Sequence, residues 1–367
     1  MMKIKNVILH HISLKLKEPF RASNGIVYDR ESILVEVIDH DGMSGWGEVV
    51  AFTSPWYTEE TIQTCFHMLK DFIIPLLLNK TVSHPNELPS IFQLIKRNNM
   101  AKASIEGAVW DLYAKKNRMS LSKALGGTKA EIDCGVVIGI GPLQQMIDQI
   151  YKYAEDGYKR FKVKISPSNA VEILEGIRTI FPHIPLMADA NSSYSLKDIK
   201  LLKELDNYNL LMIEQPLASD DIIHHAKAQE ILKTPICLDE SIVTSEDVRH
   251  AIELGSCKVI NIKAGRVGGL TEAKKIHDIC MEHHIPVWCG GMIETGISRA
   301  HNIALASLSN FTIPGDISSS SKYWYEDVLM QQIKVEHGKI KVPDGIGMGY
   351  EVNREIIKKL LVSISSF

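Results

Sequence analysis

Eight short apolar runs recur at a nearly constant interval through half of the chain: CGVVIGI, FKVKI, PLMADA, LMIEQP, ICLDE, KVINIKA, PVWCGG and FTIPGD, lying between residues 134 and 316. Amphipathic helical patterns separate them. A hairpin needs only a few linking residues, so gaps of this length fit strand–helix–strand repeats, in which successive strands run parallel. A doubly wound open sheet alternates in the same way. Eight units of nearly equal length favour a closed (β/α)8-type barrel instead.

The residues at the C-terminal ends of these runs sharpen the reading. They are Gly139, Lys164, Asp189, Glu214, Asp239, Lys263, Gly290 and Gly315, at intervals of 25, 25, 25, 25, 24, 27 and 25. Barrel sites form at the C-terminal ends of the strands, so five consecutive strands deliver Lys, Asp, Glu, Asp and Lys to one mouth. In FKVKI, Phe161, Val163 and Ile165 alternate with Lys162 and Lys164. An edge strand with its lysines in water would look the same. Beside three acids in register, both lysines are expected to face inward.

Three carboxylates gathered in one cavity repel one another unless protonated or bound to a cation. Oxygen-only donors suit a hard divalent ion, Mg²⁺ above all, with Mn²⁺ as a substitute. Any one of these acids, taken singly, reads more readily as the cap of the following helix; the register of all three argues otherwise. Lysine, with an ordinary pKa of about 10.4, is a poor base at neutral pH unless burial or nearby cations lower it. Lys162 beside Lys164, and Arg266 beside Lys263, are expected to act in that direction. A metal flanked by two lysines suits abstraction of a proton α to a carboxylate, with the metal steadying the enolate oxygens.

Before the repeats, the chain reads as antiparallel β and then helix. KIKNVILHHISLKLK and ESILVEVIDHDGMSGWGEVV alternate, with DHDG as a turn. TEETIQTCFHMLKDFIIPLL is expected to begin a helix capped by Thr58, and AKASIEGAVWDLYAKKN places Ile105, Ala108, Val109 and Leu112 on one stripe. Gly126-Gly127 marks a boundary. A formal charge of −3 gives no reason to expect nucleic acid or a membrane as partner. Six cysteines without a C-x-x-C pair argue for a reducing compartment, and the charged, alternating N-terminus does not read as a signal peptide, so we expect a cytoplasmic protein.

The acid–base row, together with DANSSY, IEQP, LDES, NIKAGRVGG, GGMIETGISRAHNIALASL, PGD and PFRASNG, resembles the enolase superfamily, and within it the o-succinylbenzoate synthase / N-succinylamino acid racemase branch. The resemblance implies a modified, (β/α)7β-type barrel (residues 127–324) beneath an α+β capping domain (1–126), with 325–367 returning to the cap. It implies that Lys164 and Lys263 are the catalytic lysines, that Lys162 assists its partner, and that Asp189, Glu214 and Asp239 bind Mg²⁺. The implied reaction is syn dehydration of 2-succinyl-6-hydroxy-2,4-cyclohexadiene-1-carboxylate to 2-succinylbenzoate, a step of menaquinone biosynthesis. Some relatives racemise N-succinylamino acids instead or in addition. A small carboxylate substrate and a homo-oligomeric assembly are expected.

Other positions carry less. Asn191 suits either a substrate contact or a helix cap. Gly291 and Met292 offer backbone N–H groups to a substrate carboxylate, or simply make a turn. Arg266 and Phe20 are further candidates for substrate contact, and Glu240 and Glu294 for support. The segments 20–25 and 52–60 read as closing loops or as plain surface. A barrel that has lost its chemistry and only binds would lack one of the five principal residues, and all are present. Schiff-base chemistry would use a lysine but does not need three acids.

Overall fold

The protein is described here by a computed structural model covering residues 1–22 and 25–367, with side chains placed outside 20–26. Strands β1 (Met2–Ala22), β2 (Gly25–Asp39) and β3 (Ser44–Val49) form an antiparallel sheet in that order. The alternation in β1 turns Val7, Leu9, Ile12, Leu14 and Leu16 inward, its phase shifted at an irregularity between His11 and Ile12. DHDG is the turn between β2 and β3: Asp39 Oδ1 accepts the N–H groups of Asp41 and Met43, both at 3.0 Å.

Helix α1 (Asn99–Lys116) lies on β3, with Ile105, Ala108, Val109 and Leu112 buried as expected. Its approach depends on Gly45 and Gly47, where a Cβ would stand 2.1 Å from the Ala108 carbonyl and 1.9 Å from that of Ser104. The expected cap at Thr58 is not observed. Thr61 caps the helix that begins at Ile62, in a reciprocal pair with Thr64, and Glu60 turns inward to accept the N–H groups of Met100 and Ala101 at the start of α1. Those otherwise unpaired N–H groups outcompete a first-turn position in solvent.

Among the described residues, seven strands form a continuous parallel sheet: β4 (Gly135–Ile138), β5 (Arg160–Lys164), β6 (Leu186–Asp189), β7 (Ile213–Glu214), β8 (Ile236–Leu238), β9 (Val259–Ile262) and β10 (Val287–Cys289). Each pairs with its neighbour in sequence. The eighth expected strand is not a ladder. It closes the ring through Gly315, which bridges to Cys134 and accepts the N–H of Gly135 at 2.7 Å, while Asp316 N–H reaches the Cys289 carbonyl at 2.9 Å. Pro314 has no N–H to extend the pairing.

The strands' period of two sorts side chains into layers. Lys162 and Lys164 on β5 are the partners of Met187 and Asp189 on β6, so acids and lysines share one face with an apolar layer beneath them. That layer is a separate cluster of Met187, Met212, Cys237, Val259 and Trp288.

The cap is fastened to the barrel by buried carboxylates that serve helix N-termini. Glu106 of α1 accepts the N–H groups of Leu270 and Thr271 at 2.6 and 2.8 Å, opening α2 (Leu270–Glu282). Glu48 of β3 accepts those of Thr295 and Ser298 at 2.9 and 3.0 Å, opening α3 (Gly296–Ala306). After the barrel the chain returns: α4 (Arg354–Leu360) leads into β11 (Leu361–Ser366), which pairs antiparallel with β1. No helix among the described residues is long and apolar enough to cross a membrane.

Candidate active site

Strand ends place the acid–base row where its spacing predicts. Lys164, Asp189 and Glu214 are the last residues of β5, β6 and β7, and Asp239 and Lys263 directly follow β8 and β9. Asp189, Glu214, Asp239, Lys162 and Lys263 are all buried.

The cations and acids interleave. Lys164 Nζ donates to Asp189 Oδ2 at 2.8 Å and also to Asn191 Oδ1. At the other end Lys263 Nζ donates to Asp239 Oδ2 at 2.7 Å, and Arg266 donates to the second oxygen of the same carboxylate. Between them Lys162 Nζ lies 3.1 Å from Glu214 Oε2 and 3.3 Å from Asp189 Oδ2. Asn261 Nδ2 donates to Glu214 Oε1 at 2.8 Å. Gly290 makes room for this arrangement: a Cβ there would stand 2.5 Å from Asn261 Oδ1 and 2.6 Å from Lys263 Cε.

The electrostatics follow from burial against charge. Burial, together with the Asp189 charge, pushes the Glu214 carboxyl up to about 8. Burial would raise Asp189 as well, but Lys164 and Lys162 outweigh it and hold this carboxyl down at about 2. Asp239 is lowered in the same way by Lys263 and Arg266. Arg266 acts on Lys263 in the expected direction, but the net shift is the opposite of that expected. Burial and Arg266 both pull the Lys263 ammonium down, yet Asp239, Tyr57 and Glu240 dominate and raise it. Lys162 is likewise raised, by Asp316, Glu214 and Asp189 against burial.

Among the described residues no three His, Cys, Asp or Glu side chains stand together as a ready-made metal-ligand set. The donor set nevertheless fits a hard cation. It consists of three buried carboxylates, each drawn onto an ammonium or guanidinium group, with one of them forced toward protonation.

Beside the row lies a cavity of about 250 Å³ lined on its polar side by Lys162, Lys164, Asp189, Asn191, Glu240 and Lys263. Phe52, Trp56, Tyr57 and Tyr323 form much of its apolar wall, and Gly291 and Met292 also line it. The Met292 N–H is already taken by Glu294, so of this pair only Gly291 could offer an N–H to a carboxylate. Arg266 sits behind Asp239 with its Nε and Nη2 on the carbonyls of Ile242 and Asn261, away from the cavity lining. The Phe20 side chain lies outside the described residues. Backbone strain gathers here: Asn191, Ser192, Gln215 and Ile293 all have positive φ, at 41°, 61°, 39° and 55°.

Residues 145–356 match the family model for the enolase C-terminal domain-like fold, and residues 4–126 match that for the mandelate racemase / muconate lactonizing enzyme N-terminal domain. The chain belongs to the enolase superfamily. It is 57% identical over 367 residues to the o-succinylbenzoate synthase of Bacillus subtilis, covering 100% of this chain and 99% of that protein. It is 39% identical over 361 residues to the N-succinylamino acid racemase of an Amycolatopsis species, covering 98% of each. An enolase-superfamily structure from Listeria innocua superposes with a TM-score of 0.97 at 42% identity, covering 100% of this chain and 99% of that one.

Two residues of this enolase-superfamily site escape the sequence reading. Tyr57 comes from the cap: its hydroxyl accepts from Lys263 Nζ at 2.9 Å and lies 3.4 Å from Asp239 Oδ1. The segment 52–60 drew attention as a loop, but nothing in FTSPWYTEE singles out its tyrosine. Asp316, one residue beyond the marked Gly315, lies 2.7 Å from Lys162 Nζ. Glu240 accepts from Asn191 Nδ2 at 3.2 Å through Oε1, while its Oε2 is buried with no partner among the described residues.

Proposed function

We propose that this protein is an o-succinylbenzoate synthase, removing water from 2-succinyl-6-hydroxy-2,4-cyclohexadiene-1-carboxylate by syn elimination through an enediolate. The observation that carries this reading is an intact Lys–Asp–Glu–Asp–Lys row in a chain 57% identical, end to end, to a protein of that name. In this reading Asp189, Glu214 and Asp239 hold Mg²⁺, or Mn²⁺ in its place. When bound, the ion supplies the positive charge that stabilises the enediolate oxygens.

The protein's own groups do the rest. Lys164 Nζ takes the α-proton, and its ammonium then protonates the departing hydroxyl on the same face, so one side chain serves as base and as acid. Asn191 and Asp189, both bonded to Lys164, aim it. Lys263, held by Tyr57 and Asp239, stays charged across the row and steadies the anionic intermediate. Lys162 contributes further positive charge beneath Glu214 and Asp189. The aromatic wall from Phe52, Trp56 and Tyr323 shields the ring from water.

A second reading, racemisation of N-succinylamino acids, is favoured by the placement of a lysine at each end of the row and by the 39% identical relative of that name. We place the protein in the cytoplasm, as a homo-oligomer acting on small carboxylates in menaquinone biosynthesis, without nucleic-acid or membrane partners. Purified protein supplied with each substrate in turn tests both readings. Turnover of the cyclohexadiene is expected, and its absence alongside robust racemisation would reverse their order.

A further inference from the structure

Beneath the acid row lies a second ionic cluster that the proposed chemistry does not use. Arg160, at the start of β5, is fully buried. Its Nε donates to the Pro314 carbonyl at 2.7 Å, its Nη1 lies 3.1 Å from Met187 Sδ, and its Nη2 donates to Asp316 Oδ1 at 2.6 Å. The guanidinium stacks 4.7 Å from the centre of the Trp288 ring. Gly135 leaves the space, since a Cβ there would stand 2.3 Å from Nη2. The fork therefore has one position, and that position fixes one oxygen of Asp316.

The other oxygen of Asp316 meets Lys162 Nζ at 2.7 Å, closer than Glu214 Oε2 at 3.1 Å or Asp189 Oδ2 at 3.3 Å. Lys162 is thus shared among three carboxylates and leans toward the one outside the row. The backbone of Asp316 is pinned as well. Its N–H is bonded to the Cys289 carbonyl at 2.9 Å, and its own carbonyl would stand 2.7 Å from a Cβ at Gly291. Burial acts to raise the Asp316 carboxyl, but Arg160 and Lys162 override it and hold the group well below the usual carboxylate range.

We propose that Asp316 is a positioning residue: clamped by Arg160, it draws the Lys162 ammonium toward itself and so weakens that ammonium's hold on Glu214 and Asp189, which take a divalent cation more readily. This inference rests on the reading of those acids as metal ligands. A lysine left without Asp316 would settle on Glu214 and Asp189, competing for the same oxygens with a tethered charge at high effective concentration. Arg160 is the anchor because its planar fork holds the carboxylate in one orientation, which a lysine's point charge does not.

The test is titration of the metal-stripped full-length protein with Mg²⁺ by calorimetry, folding being checked by circular dichroism. Asp316→Asn should bind Mg²⁺ about tenfold more weakly than the unmodified protein, the scale on which partners of metal ligands act. Arg160→Lys, which leaves the net charge unchanged, should lose affinity in the same direction, and it carries the test if Asp316→Asn fails to fold. In a Lys162→Met background, Asp316→Asn should change the affinity by less than about twofold, because the competing ammonium is gone. An equal loss with and without Lys162 would reduce Asp316 to a distant charge and overturn the proposal. So would folded single variants that bind as the unmodified protein does. An unmodified protein that takes up no Mg²⁺ would overturn the ligand assignment itself, and this inference with it.

Discussion

Lys164 Nζ stands 2.8 Å from Asp189 Oδ2, and the two residues are direct partners in the parallel ladder between β5 and β6. At the far end of the row Lys263 Nζ meets Asp239 Oδ2 at 2.7 Å, so two lysines address the cavity from opposite sides. Racemisation needs proton transfer on both faces of a planar intermediate, whereas syn elimination needs one. Lys164→Ala and Lys263→Ala should each abolish racemisation of an N-succinylamino acid while keeping α-proton exchange with one enantiomer, a different one for each variant. Deuterium uptake from D₂O into separate L and D substrates, read by mass spectrometry, checks this. Retention of the same enantiomer's exchange by both variants would contradict the two-face arrangement.

Chelation should abolish turnover and added Mg²⁺ restore it. Glu214→Gln keeps the volume, and its amide oxygen can still accept from Asn261, but it removes the charge, so the barrel should fold and its Mg²⁺ affinity fall by about tenfold or more. Calorimetric titration of the folded variant is the measurement. An unchanged affinity would remove Glu214 from the ligand set.

Gly290→Ala is expected to fold and to be nearly inactive. Its new methyl would stand within 2.6 Å of both Asn261 Oδ1 and Lys263 Cε, so Lys263 must leave its place between Tyr57 and Asp239. A fall in kcat of about a hundredfold is the scale for a displaced catalytic group. Near-normal kcat would show that Lys263 tolerates another position.

Glu48→Gln should loosen the cap. Oε2 accepts from Thr295 Oγ1 at 2.7 Å and from the Ser298 N–H at 3.0 Å, and a Gln amide in that place would point donors at donors. The expected cost is about 1–3 kcal/mol, seen as a lower urea midpoint. An unchanged midpoint would mean that these bonds contribute nothing to joining cap and barrel.

Glu36 sets a limit on acid stability. Burial tends to raise its carboxyl, but His10 and Arg354 bring it down to about 2. A carboxyl lower in the folded than in the unfolded state stabilises the fold above its unfolded pKa and ceases to do so as pH falls toward the folded value. The loss should therefore run from about pH 4.5 down to about 2, and Arg354→Ala should shift acid unfolding to higher pH. Arg354 is more than half exposed, so the pair contributes on the order of 1 kcal/mol, and the shift should shrink in high salt. Acid unfolding curves of the two proteins at low and high salt provide the comparison.

The barrel and its acid row are legible in the sequence because a parallel βα repeat converts a spacing of about 25 residues into convergence at one mouth, and strands with a period of two keep Lys162, Lys164 and Asp189 on one face. Tyr57 is not legible, because it reaches Lys263 from a loop whose path depends on how the cap seats, a tertiary matter with no local pattern. Asp316 hides for a related reason. The last segment closes the ring by a single bridge, so the side chain that matters falls one position past the repeat. Thr58 follows a sound capping rule, yet Glu60 is claimed by the start of α1, and the cap falls three residues later at Thr61. The direction of the Lys263 shift needs the distances, since Arg266 and Asp239 pull against each other and only their geometry decides.

The pairing of β11 with β1 ties Ile8 to Ser366, residues from opposite ends of the described chain. During synthesis β1 is made before the barrel strands and β11 after them, so the stretch of β1 from Ile8 to Ile12 waits for that partner until the barrel segments have been made. The neighbouring hairpin can form meanwhile, and the barrel units can assemble in order, since each contacts the next. The cap's outer edge is completed after the barrel units, which leaves the nascent N-terminal sheet exposed meanwhile to chaperones and to wrong partners.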